Sequence, residues 1–114
     1  MEMSDAVVAL AALAQNNRLD VFRFLVQAGR EGAPAGMVAA GLDLPPNTLS
    51  FHFDRLRVAG LVTARREGRS IIYAAKYEQM NALIAFLTQN CCQGVQCTPA
   101  PVEGQARKRR KIPA

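Results

Sequence analysis

The 114-residue chain predicts an α+β fold, mainly helical, with about five helices and one β-hairpin. Three observations carry that expectation. Leu49, Phe53 and Leu56 recur at four and three residues, the spacing of one helix face. Val62 to Arg66 and Ser70 to Ala74 are short β-prone runs around Glu67-Gly68-Arg69, a tight-turn signal. Half of the residues are hydrophobic, enough for a core, and the length suits one domain.

Taken in order, Ser4-Asp5 caps a first helix to about Ala14. Val7, Val8, Leu10, Ala11, Leu13 and Ala14 make it apolar around most of its circumference. A short helix that apolar wants burial on several sides, a second subunit included. Asn16 and Asn17 cap a second helix, Arg18 to Ala28, whose stripe is Leu19, Phe22 and Leu25 with Val26; Gly29 ends it. Glu31-Gly32-Ala33 reads as a loop, and Pro34 begins a third helix to about Ala40. Gly41-Leu42-Asp43 turns the chain into the Leu44 segment, where Pro46 suits a first helical position and Gly60 a stop. After the hairpin, Tyr77 to about Gln89 is helical, with Met80, Leu83, Ile84 and Leu87 as core or dimer surface. The helical and hairpin body is placed at residues 1–92. Residues 93–114 form a cysteine loop and a Pro-, Gly- and Lys/Arg-rich tail expected to be disordered.

A short helix, a tight turn, a longer helix and then a basic hairpin is the pattern of a winged helix-turn-helix, whose second helix enters the DNA major groove. Asn47, Thr48, Ser50, Phe51 and Arg55 lie off the apolar face of that helix. Asn, Ser and Arg can reach phosphates or base edges, and Phe51 a thymine methyl. Arg65, Arg66 and Arg69 crowd the hairpin and suit phosphates or a minor groove. His52 falls nearer the apolar face and reads as a structural histidine bonded to backbone.

The net charge of +5 favours an anionic partner. Five cations sit together from Arg107 to Lys111, so the body is nearly neutral and the tail adds salt-sensitive affinity. No apolar run approaches the ~20 residues of a membrane span. The apolar N-terminus follows acidic residues and lacks a basic n-region, so a cytoplasmic protein is expected.

Cys91, Cys92 and Cys97 are the chain's three cysteines. An odd, clustered set is no disulfide framework. Structural zinc wants four N/S ligands. His52 is the one histidine, and no acidic residue follows the cluster before Glu103. Three thiolates alone suit As(III) or Sb(III). A Cys92–Cys97 redox pair and inert thiols remain open. A thiol enzyme, such as an arsenate reductase, would need an activated thiolate. Here the cysteines follow a helix C-terminus, whose dipole opposes one, with no acid–base partner nearby in sequence. No catalytic residue or catalytic cofactor is assigned.

The order of elements, with LSFHFDRLRVAGLV running into RREGRSIIY, resembles the ArsR/SmtB family of metal-responsive repressors. The resemblance spans about Ala6 to Gln89 and implies a homodimer held by the first and last helices; the apolar stripes of those helices, too extensive for one small core, place the interface at Val8, Leu10, Leu83 and Leu87. It implies a pseudo-palindromic operator in double-stranded DNA, released when an inducer binds. Phe51 stands where the family often has His, and Pro46 where it often has Gln. Met37 and Val38 occupy the region of the family's arsenic cysteines, so Cys91, Cys92 and Cys97 resemble instead the C-terminal three-cysteine site of some members.

Overall fold

The computed structural model describes residues 1–94. The elements are α1 (Met3–Leu13), α2 (Asn16–Ala28), β1 (Ala33–Pro34), α3 (Ala35–Leu42), α4 (Pro46–Val58), β2 (Val62–Glu67), β3 (Ser70–Ala75) and α5 (Tyr77–Leu87). A short 3₁₀ turn, Cys91–Gly94, follows. The five expected helices and the hairpin are present, with a third strand added.

That strand is the main departure. Ala33 and Pro34 pair antiparallel with Tyr73 and Ile72, giving a sheet of order β1-β3-β2. Two residues carry no period-2 pattern, so sequence reads them as loop and helix start. Pro34 is tolerated because β1 is an edge strand, where a missing N–H breaks no ladder. Gly32 lets the preceding loop lie on β3. Its φ is +79°, and a Cβ there would collide with the Tyr73 carbonyl oxygen.

Other boundaries follow from local bonds. The α1 start is a capping box between Glu2 and Asp5 rather than a Ser4 cap. Gln15, not Asn16 or Asn17, caps α2 by accepting the Arg18 N–H at 2.8 Å. Arg18 then donates from Nε to the Ala12 carbonyl at 2.6 Å, tying α2 to the end of α1. Asp43, in the left-handed region, makes the turn of the helix-turn-helix. Gly41 lies inside α3, where a Cβ would stand 2.6 Å from the Phe24 ring. A packing requirement therefore explains a glycine that reads in sequence as a turn.

The core is built from Ala6 and Ala9 of α1, Val21, Phe22 and Leu25 of α2, Val38 of α3, and Leu49, Phe53 and Leu56 of α4, with Leu61, Val62, Ala75 and Leu83. Leu19 is exposed and Val21 buried instead, so the inward stripe of α2 is displaced from the expected one. Gly60 and Leu61 close α4 with a Schellman pattern: Leu61 N–H bonds the Leu56 carbonyl and Gly60 N–H the Arg57 carbonyl. Leu61 is thereby buried at the root of the hairpin. The Tyr77 hydroxyl donates to the Val26 carbonyl at 2.8 Å and anchors the start of α5 on α2.

Candidate nucleic-acid interface and thiol cluster

Helix α4 is amphipathic because its apolar residues recur at three and four. Leu49, Phe53 and Leu56 are buried, and Asn47, Thr48, Ser50, Phe51 and Arg55 are exposed together. Asn47, Phe51 and Arg55 form one row at four-residue spacing. Phe51 is 56% exposed, and its ring lies under the Arg55 guanidinium at 5.6 Å. An arginine held over an aromatic face is oriented before any ligand arrives. Arg57, on the same helix, is paired with Asp54 at 2.6 Å.

The wing is fixed to this helix by aromatic stacking. The Phe53 and Tyr73 rings are parallel within 10° with centroids 3.7 Å apart. Glu67 pairs with Ser70, leaving Gly68-Arg69 as a two-residue turn. Gly68, the first of these, has φ +63°, the position at which a type II′ hairpin takes glycine. Arg66 pairs with Ile71, two residues from Tyr73, and so shares the α4-facing side. Arg69 sits at the tip. Among the described residues neither Arg66 nor Arg69 forms an ion pair. Arg65 is different. It lies on the reverse face, with Nε 2.8 Å from Glu67 Oε2 and Nη2 3.1 Å from the Glu31 carbonyl. The three arginines grouped by sequence are therefore divided by the strand pleat.

His52 is buried, as its position on α4 suggested, but it is not bonded to backbone. Neither ring nitrogen has a hydrogen-bond partner among the described residues. Its pKa lies below the usual value, chiefly because burial penalises the imidazolium and secondly because Arg18 repels it.

A second surface runs along α1 and α5. Val7, Val8 and Leu10 of α1 are exposed, as are Ile84 and Leu87 of α5. Leu83 is a correction: at 6% exposed it belongs to the protomer's own core and is closed to a partner. Ile84, one residue on, is exposed instead.

Beyond α5 the chain reverses, with Asn90, Cys92, Gln93 and Gly94 all at positive φ. The Cys91 and Cys92 sulfurs are exposed and 3.6 Å apart. That separation fits two thiolates each ~2.3 Å from one ion, at an angle of about 100°. It is too long for a bond between the two, and Cys92 is disulfide-bonded. Cys97 and the Arg107–Lys111 cluster lie outside the described residues. Within the described residues no three metal-ligating side chains converge, and no helix is long and apolar enough to cross a membrane.

A profile described as a helix-turn-helix domain matches residues 13–65. The transcriptional activator HlyU of Vibrio cholerae is 32% identical over 91 residues, covering 80% of this chain and 82% of HlyU. The chain belongs to the ArsR/SmtB family. Among its relatives, the HTH-type transcriptional regulator YgaV of Escherichia coli is 32% identical over 87 residues, covering 76% of this chain and 86% of YgaV. The solved structure of reduced HlyU from Vibrio cholerae superposes with a TM-score of 0.61 at 31% identity, over 79% of this chain and 92% of that one. An ArsR-like regulator from Rhodococcus has the same fold, with a TM-score of 0.68 at 24% identity over 80% of this chain and 83% of its own. The protein is accordingly a DNA-binding transcriptional regulator of winged helix-turn-helix type.

Proposed function

We propose that the protein is a homodimeric repressor whose operator affinity is set by the cysteine cluster beyond α5. What supports the DNA half is the exposure of Asn47, Thr48, Ser50, Phe51 and Arg55 on α4 and of Arg66 and Arg69 on the wing, which the Phe53–Tyr73 stack ties to that helix. The exposed apolar residues of α1 and α5 support the dimer, which two half-sites require.

For the input, Cys91, Cys92 and Cys97 would hold As(III) or Sb(III) as three thiolates once the disulfide at Cys92 is reduced, and the exposed, adjacent Cys91 and Cys92 sulfurs, 3.6 Å apart, are close enough to share one ion. Bound there, the ion would tug on the α5 end of the dimer surface and favour a pairing that misplaces one recognition helix. A coupling of about 1–3 kcal/mol would weaken operator binding about 5–150-fold. A second reading is a redox input. Two thiols close to one disulfide, passing two electrons and two protons to an oxidant such as a peroxide. The disulfide at Cys92 favours it, as does the description of a relative's structure as reduced HlyU. HlyU is named an activator. The same DNA-binding surface serves either sign, because the sign depends on where the operator lies.

The test is fluorescence anisotropy on DNA from the gene's own upstream region, with fully reduced protein. Arsenite should release the DNA, and Cys91→Ser, Cys92→Ser or Cys97→Ser should blunt the release while leaving binding intact. Release by peroxide alone, reversed by a dithiol, selects the redox reading. If the triple Cys→Ser protein responds like the wild type to both agents, the input lies elsewhere.

A further inference from the structure

We propose that Arg65 is a positioning residue for the wing and not a DNA contact, an inference that rests on the wing reading above. Its location is specific. Strand β1 supports the hairpin only at Tyr73 and Ile72. Arg65 is the residue directly across from Ile72. Beyond that register the hairpin, Arg66 to Ile71, projects as two strands with no third strand beside it. A two-stranded ribbon is marginal by itself and twists readily. Arg65 therefore stands at the root of the part that must reach DNA.

At that root the guanidinium spans two bodies. Nε bonds Glu67, two residues further along the same face of β2 and next to the turn. Nη2 bonds the Glu31 carbonyl in the loop between α2 and β1. That loop is itself seated on β3, because Gly32 beside Glu31 has no Cβ to strike the Tyr73 carbonyl. The planar fork of arginine makes both bonds at fixed relative directions, which a lysine could not do. The clamp sits opposite the face that bears Tyr73 and Arg66, so it braces the wing from behind. Both Arg65 and Glu67 side chains are about half exposed. The pair is thus a minor term in global stability, and its removal leaves a folded protein with a looser wing.

Two readouts on the full-length protein test this. The first uses no DNA: backbone ¹⁵N relaxation at Gly68, Arg69 and Ile71 in wild type and Arg65→Gln. The clamp predicts lower order parameters at those three sites and unchanged values in α4. Unchanged wing order overturns the clamp whatever the DNA does. The second is operator affinity as a function of salt. Arg65→Gln should weaken binding several-fold with no change in the slope of log K against log salt. Glu67→Gln should also weaken it, and the double variant should be no worse than either single one. Arg69→Gln should lower the slope by about 1, as a lost phosphate contact does. If Arg65 touches phosphate instead, Arg65→Gln lowers the slope and Glu67→Gln, which removes a negative charge and frees Arg65, strengthens binding; that result overturns the proposal. If the wing loosens in Arg65→Gln while Arg65→Gln and Arg69→Gln both bind as wild type does, the wing is not a DNA contact, and the positioning role for DNA falls with it.

Discussion

Replacing His52 by Leu should stabilise the protein and remove its pH dependence near neutrality. His52 is 5% exposed and sits on α4 between Leu49, Phe53 and Leu56, all of them buried. A neutral imidazole has one N–H donor and one acceptor nitrogen, and both lack a partner among the described residues. A buried polar group left unsatisfied costs about 1–3 kcal/mol. Leucine removes both and keeps the site apolar, against a shape mismatch worth up to ~1.5 kcal/mol. A net gain of ~1 kcal/mol is expected, which raises Tm by about 4–8 °C for a domain of this size.

The pH dependence has a definite sign. Burial first, and Arg18 second, hold the folded-state pKa of His52 below its usual 6.5. Between the folded and unfolded values the unfolded chain binds the extra proton. Stability therefore falls as pH drops through about 6.5, and the loss from this group ends below the folded pKa. His52 is the chain's one histidine, so the window from roughly pH 5 to 7 reports on it with little interference. Urea titrations of wild type and His52→Leu across that window measure both effects. A His52→Leu protein that is less stable at pH 7, or one that keeps the wild-type slope, would refute the reasoning. It would mean that the ring nitrogens are hydrogen-bonded in solution.

Three further outcomes are expected. Ser50→Ala and Arg69→Ala should each weaken specific operator binding, by on the order of 1–3 kcal/mol where a base-edge contact is lost, with unfolding midpoints unchanged; unaltered affinity for both would place the DNA surface elsewhere. Val8→Glu or Leu87→Glu should convert a micromolar dimer to monomer in sedimentation velocity, because each puts a charge on an exposed apolar face of α1 or α5, and Leu83→Glu should instead unfold the protomer. Gly41→Ala should destabilise by no more than about 2 kcal/mol, since about 1–3 kcal/mol of overpacking against the Phe24 ring is offset by the ~1 kcal/mol that alanine gains over glycine inside a helix, measured as a drop in urea midpoint with no change in slope.

The secondary structure was largely legible in the chain, because periodicity and stop signals are local. The three- and four-residue spacing of Leu49, Phe53 and Leu56 predicts both the α4 helix and its inward face. Pro46 and Gly60 mark its ends, and Gly68 marks the hairpin turn. The exposed set on α4 follows from the same spacing, since a face not apolar is left for solvent or DNA. The family was legible for a related reason: LSFHFDRLRVAGLV and RREGRSIIY lie in the helix, junction and wing that make the fold.

Tertiary structure decided what depends on partners distant in sequence. β1 is two residues long, and only Tyr73 and Ile72 across the sheet make it a strand. Gly41 is explained by Phe24, seventeen positions earlier, and not by the turn beside it. Leu83 and Ile84 are adjacent and equally apolar, but the seating of α5, which Tyr77 anchors on α2, buries one and exposes the other. Period-2 alternation could have separated Arg65 from Arg66, yet only the fold brings Glu31, thirty-four residues away, to meet Arg65. His52 is buried as its position on α4 implies, but whether a partner meets its ring nitrogens depends on the assembled fold, where none does among the described residues. Composition and spacing determine which faces are apolar; which neighbour each face meets is set by how the helices cross, and that is a property of the assembled chain.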